Sequence, residues 1–151
     1  MNNSDIKILL VDDEPDILEI VGYNLKNEGY KVYTSTNGIE AVKSAKKIMP
    51  DLILLDIMMP EMDGIEACEK IRTIKNLENT LIAFLTARNE DYSKVAGFDA
   101  GADDYITKPI KPKVLVSKVK SLLRRLKAKN ETDANIIVGN ITINRDEYVI
   151  F

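Results

Sequence analysis

Residues 51–56 read Asp-Leu-Ile-Leu-Leu-Asp, preceded by Pro50 and followed by Ile57-Met-Met-Pro-Glu-Met-Asp-Gly64. Consecutive aliphatic residues without polar alternation describe a strand covered on both faces, the central strand of a parallel sheet. Pro50 ends whatever precedes the run, and Pro60 and Gly64 mark a loop after it. Working outward, Ile6–Val11, Tyr30–Ser35, Leu81–Leu85 and Asp104–Thr107 read as further strands, each separated from the next by a segment of helical period. Strand–helix alternation of this kind predicts an α/β fold with a doubly wound parallel sheet.

The predicted helices carry their own punctuation. Pro15 suits a first turn, and Ile17, Leu18, Val21 and Leu25 form a stripe stopped by Gly29. Asn37-Gly38 leads into a helix with Ile39, Val42, Ala45 and Ile48 on one face. A third carries Ile65, Ala67, Cys68 and Ile71, and a fourth, weak one spans Glu90–Ala100 with Gly97 inside it, at a cost of about 1 kcal/mol relative to alanine. A fifth runs from Pro112 to about Ala128 with Leu115, Val119, Leu122 and Leu126. We therefore expect one domain over residues 1–127. Residues 128–134 are polar and aperiodic and read as a linker. Residues 135–151 carry strand and turn signals, a hairpin stub too small to be stable alone, as at the truncated start of a second domain.

Composition narrows the chemistry. The 151 residues, 45% hydrophobic and 30% charged, match an ordinary soluble domain, and the net charge of -3 gives no polyanion-binding signal. The chain has no histidine, which excludes histidine-based triads, histidine metal sites and phosphohistidine carried by this chain. Cys68 is the single cysteine, so an intramolecular disulfide is excluded and a buried reduced thiol is expected, as in a cytoplasmic protein. Met1-Asn-Asn-Ser-Asp lacks the basic and apolar regions of a signal peptide, and no apolar run is long enough for a membrane span.

In a doubly wound sheet, ligands bind outside the carboxyl ends of the strands. Asp12, Asp13, Asp56, Thr86 and Lys108 all fall at such ends. Clustered carboxylates repel unless a hard cation sits among them, and Mg2+ prefers oxygen ligands. Asp56, with metal on one side and Lys108 on the other, could attack a phosphoryl group and hold it as an acyl phosphate, with the Thr86 hydroxyl on a phosphoryl oxygen. Taken singly, Asp12 would be a helix cap, Lys108 a solvated lysine, Thr86 a strand residue and Tyr105 half-buried packing. Their joint placement at one sheet edge outweighs those separate readings.

The motifs Val11-Asp-Asp-Glu14, Leu54-Leu-Asp-Ile-Met-Met-Pro-Glu-Met-Asp-Gly64, Leu85-Thr-Ala87 and Gly101-Ala-Asp-Asp-Tyr-Ile-Thr-Lys-Pro109 occur in the order and spacing of a known family. Over residues 6 to about 126 the chain resembles the receiver domain of bacterial two-component response regulators. The resemblance implies a flavodoxin-like fold with strand order 2-1-3-4-5 and five helices. It implies phosphorylation of Asp56 by a partner histidine kinase, with Mg2+ held by Asp13, Asp56 and the backbone carbonyl of Met58, and with Asp12 assisting partly through water. It also implies a switch in which Thr86 moves toward the phosphoryl group and Tyr105 turns inward. The expected activity is self-catalysed phosphoryl transfer and autodephosphorylation, not turnover of a small substrate.

The long last helix, the linker and the hairpin stub resemble the winged-helix, OmpR-type class of transcriptional response regulators. That class implies a phosphorylation-dependent homodimer through the fourth helix, fifth strand and fifth helix. Asp103 and Asp104 are then expected to pair with Lys118 and Arg125 across the interface, beside Lys94. Ile110 stands where the family usually has Phe, Val114 where it has an acid and Lys118 where it has Arg. Lys94 thus lacks its usual acidic partner, and lysine cannot copy arginine's bidentate geometry, so the ion-pair set is incomplete. DNA contact is expected only through the missing effector domain, because the basic helix alternates its lysines with a core stripe. A haloacid dehalogenase type phosphatase also uses an aspartyl nucleophile with Mg2+, but needs a second Asp two residues on, where this chain has Met58. A free-standing receiver acting as a phosphate relay is the third alternative, disfavoured by the linker and hairpin.

Overall fold

A computed structural model describes residues 3–86 and 100–139, with side chains as far as residue 126. A short 3-10 turn, Asn3–Asp5, leads into β1 (Lys7–Val11), α1 (Pro15–Asn27), β2 (Lys31–Ser35), α2 (Gly38–Ile48), β3 (Leu52–Asp56), α3 (Gly64–Arg72), β4 (Leu81–Thr86), β5 (Asp104–Thr107) and α4 (Pro112–Gly139). The five strands pair in parallel in the order β2-β1-β3-β4-β5. Strand boundaries agree with the sequence reading to within a residue. Of the helix expected at Glu90–Ala100 only Ala100 lies among the described residues, and the expected hairpin lies outside them from residue 140 onward. Four α-helices therefore stand among the described residues where five are expected, and the expected fifth helix is α4.

Every residue of β3 and β4 is buried, as the unbroken aliphatic runs require. On one face Leu9, Val11, Ile53, Leu55, Ile82, Phe84 and Tyr105 join Ala41 and Ala45 of α2 and Ala67, Cys68 and Ile71 of α3 in one cluster. Strand residues of the other parity, Ile8, Leu10, Leu52, Leu54 and Leu85, are fully buried on the opposite face, where α1 covers β1 and β2. The edge strand β2 stays largely exposed.

The stripe of α2 agrees with the expected one at Val42, Ala45 and Ile48, which meet the core, and departs from it at Ile39. Gly38, Ala41 and Ala45 are its buried residues, while Ile39 is exposed. The small side chains of Gly38, Ala41 and Ala45 let α2 approach α3 closely, with Val42 and Ile48 packed at the edge of the contact with the core. Asn37 and Asp63 cap α2 and α3 by accepting hydrogen bonds from Glu40 N (2.9 Å) and Glu66 N (2.8 Å). Cys68 is buried, and its thiol donates to Ala100 O at 3.4 Å. Burial pushes that thiol up to about 11, against the opposing pull of Arg72.

Contacts divide the chain into a unit of Met1–Val119 and a second of Lys120–Phe151. The backbone of α4 stays helical to Gly139, through residues 128–134 expected as an irregular linker and into the first residues of the expected hairpin. Between Pro112 and Gly139 there is no breaker, and Ala128, Lys129, Glu131 and Ala134 are strong or adequate helix formers, so polarity alone did not imply coil. A linker can be helical, so what changes is its conformation. No helix among the described residues is long and apolar enough to cross a membrane.

Candidate functional site

The sheet register brings the strand exits to one edge. Val11 lies beside Leu55, Asp56 beside Leu85, and Thr86 beside Thr107. Backbone pairing continues past the strands: Asp12 N donates to Ser35 O (3.2 Å), Ile57 N to Leu85 O (3.3 Å) and Lys108 N to Thr86 O (2.7 Å). Asp12 and Lys108 are therefore held by ladder hydrogen bonds and not by loose loops. The Lys108–Pro109 peptide is cis. Gly64 closes the loop after β3 by donating to Ile57 O at 2.9 Å, and a Cβ there would collide with the Asp56 carbonyl. Only glycine lets α3 start this close to the phosphoacceptor candidate.

Asp12, Asp13 and Asp56 each offer a carboxylate oxygen, and these oxygens lie within 4.8 Å of one another. Asp12 and Asp56 are buried, and Asp13 is exposed. Lys108 Nζ lies 3.2 Å from Asp12 Oδ2, 3.5 Å from Asp56 Oδ1 and 3.3 Å from Glu14 Oε1. Burial, reinforced by the neighbouring Asp12 charge, raises the Asp56 carboxyl to about 7, although Lys108 and the Met58 backbone N–H act against it. Burial would lower the Lys108 ammonium, but the Asp56 and Asp12 charges, with the hydrogen bond to Glu14, move it upward on balance.

The donor set fits a hard divalent cation. Asp12 Oδ1 accepts from Glu14 N at 2.9 Å, whereas Asp12 Oδ2 is fully buried and has no hydrogen bond, its contact with Lys108 being ionic but poorly directed. A buried carboxylate oxygen without a directed partner beside two more carboxylates is an unfavourable arrangement that a cation relieves.

This geometry has counterparts. The profile of the response regulator receiver domain matches residues 8–120. The chain belongs to the response regulator receiver domain family. It is 42% identical, over 94% of its length, to the alkaline phosphatase synthesis transcriptional regulatory protein PhoP of Bacillus subtilis (strain 168), of which it spans 62%. Among solved structures, the chemotaxis response regulator CheY4 of Vibrio cholerae is 33% identical with a TM-score of 0.74, covering 77% of this chain and 97% of that one. A two-component response regulator from Clostridium difficile is 34% identical with a TM-score of 0.74, covering 80% and 98%.

The remaining residues singled out in the sequence distribute unevenly over this receiver. Thr86 is fully buried at the end of β4, and Tyr105 is buried on β5 with its ring centroid 5.7 Å from that of Phe84. Tyr105 is thus already inward here. Met58 lies in the loop after Asp56 with its side chain exposed. Asp103 Oδ2 accepts from Arg72 Nη2 and from Ile82 N, both at 2.9 Å, so its carboxylate is engaged within the chain. Asp104 lies 3.5 Å from Lys118, whose ammonium also donates to Tyr105 O at 2.9 Å. Lys94 lies outside the described residues, and Arg125 belongs to the second unit. Sequence reading missed the roles of Arg72 and Glu14. The Val11-Asp-Asp-Glu14 motif did contain Glu14, but nothing in its spacing showed that it reaches Lys108.

Proposed function

We propose that this receiver is a phosphorylation-dependent signalling switch that takes a phosphoryl group on Asp56 from a histidine kinase. The carrying observation is the buried Asp56 carboxylate between Asp12 and Asp13 on one side and Lys108, 3.5 Å away, on the other. An Asp56 carboxylate oxygen forms a bond to phosphorus while the donor's bond to phosphorus breaks, and the donor group leaves with the electron pair and takes a proton from solvent. Hydrolysis returns the carboxylate and inorganic phosphate, so the reaction is self-catalysed and the protein is not an enzyme for a small substrate. Asp12, Asp13, Asp56 and the Met58 carbonyl would hold Mg2+, which supplies charge neutralisation for phosphoryl oxygens. Lys108 neutralises the remaining charge, and the Thr86 hydroxyl donates to a phosphoryl oxygen, with Tyr105 following Thr86 as the carrier of the change to the surface.

The likeness to a transcriptional regulator supports an output in transcription, with DNA bound by a further domain and the receiver forming a homodimer around β5 and the last helix. Asp104 and Lys118 lie on that surface, whereas Asp103 is committed to Arg72. A free buried Cys68 accords with a cytoplasmic location. With acetyl phosphate and Mg2+, intact-mass measurement should find one added phosphoryl group per chain, and with excess EDTA none. Phosphoryl incorporation undiminished by EDTA would overturn the metal assignment.

A further inference from the structure

Lys108 faces three carboxylates, and only two of them belong to the cluster that holds metal and phosphoryl group. The third, Glu14, is half exposed, at 54%, at the N-cap of α1, where its side chain makes no capping hydrogen bond. Its backbone is fixed beside the cluster by the hydrogen bond from Glu14 N to Asp12 Oδ1 at 2.9 Å. Of the three carboxylates around Lys108 Nζ, Glu14 alone receives a directed hydrogen bond, at 3.3 Å. Asp12 Oδ2 is closer, at 3.2 Å, yet has no hydrogen bond. The ammonium's hydrogen bond is therefore directed outward, at the rim of the site, while its charge also lies within ion-pair distance of Asp12 and Asp56.

We infer that Glu14 is a positioning residue that holds Lys108 at the rim of the unphosphorylated site and yields it when an anionic group arrives on Asp56. The inference rests on the phosphoacceptor reading of Asp56. A phosphoryl group brings a charge of about -1.5 to -2 and strong acceptor oxygens, a better partner for an ammonium than one half-solvated carboxylate. Moving Lys108 inward breaks its bond to Glu14, so that bond opposes the phosphorylated state by its own strength. An ion pair this exposed is worth about a two- to fivefold change in an equilibrium.

The test is the affinity of the 151-residue chain for beryllofluoride, a phosphoryl mimic, at saturating Mg2+, measured by NMR titration for wild type, Glu14→Gln and Glu14→Asp. Both variants should bind about two- to fivefold more tightly than wild type, because glutamine lacks the charge and aspartate keeps the charge but lacks the reach. Tightening by Glu14→Gln alone would assign the effect to charge at the rim and overturn the positioning role, as would affinities equal to wild type in both. Failure of the wild type itself to bind beryllofluoride is a separate result, which would remove the phosphoacceptor reading and this inference with it.

Discussion

Replacing Arg72 with alanine is expected to lower the stability of the fold by about 3 kcal/mol. Its guanidinium donates to Gly101 O from Nε (2.9 Å) and Nη2 (2.7 Å) and to Asp103 Oδ2 from Nη2 (2.9 Å). Nη1 is shared among the carbonyls of Leu77, Glu78 and Thr80. One side chain at the end of α3 thus satisfies acceptors in the α3–β4 connection and in the approach to β5. Gly101 has φ +104, a conformation that glycine adopts without strain, and its carbonyl is presented to Arg72. Truncation strands these acceptors and takes the guanidinium away from the Asp103 carboxylate. The pair is 17% and 34% exposed, so water compensates part of the loss, which is why the figure lies at the low end for a broken buried pair. Arg72→Lys should recover only a fraction, because an ammonium cannot reproduce the planar fork. Urea unfolding of the three proteins measures both effects, and an alanine variant within 1 kcal/mol of wild type, about the limit for a surface ion pair, would contradict this account of Arg72.

Asp56→Asn should stabilise the metal-free protein at pH 8, on the order of 2 kcal/mol. The sign follows from the raised carboxyl. Below pH of about 4, the unfolded-state value, Asp56 is protonated in both states. Between there and about 7, the folded protein retains a proton that the unfolded chain has lost, so the folded state binds more protons and stability falls as pH rises. Above that window the full cost of a charged Asp56 beside Asp12 is present. Asparagine removes it, so the difference between variant and wild type should grow from near zero at pH 4 to its plateau above pH 7 and should shrink when Mg2+ is added. Parallel denaturation curves across that range, in EDTA and in Mg2+, check it. A variant less stable than wild type at pH 8 in EDTA would show that Asp56 is not under electrostatic stress.

The strands and the site edge were legible because they rest on strong local signals, Leu52–Leu55 without alternation and charged or hydroxylic residues at the exits of apolar runs, whereas the strand order came from the family resemblance. Asp12, Asp13, Asp56 and Lys108 are brought together as those signals imply. On α2 the expected Val42, Ala45 and Ile48 do meet the core, and only Ile39 departs; Gly38 and Ala41 were passed over because they are small, and periodicity weighs size and hydrophobicity together. The continuation of α4 was missed because a polar sequence without an apolar stripe has the same composition as a coil. Long-range polar pairs were out of reach for another reason. Arg72 with Asp103, and Glu14 with Lys108, are separated by 31 and 94 residues, and their geometry depends on rotamers and loop paths that no local pattern encodes. For Asp103 the consequence is that one carboxylate oxygen, Oδ2, is already engaged within the chain by Arg72 and Ile82 N.

The central claim is that Asp56 is the phosphoacceptor, and the most direct measurement is intact-mass analysis of wild type and Asp56→Asn after incubation with acetyl phosphate and Mg2+. Wild type should gain one phosphoryl group, and Asp56→Asn none. Equal incorporation in the two proteins would contradict the account.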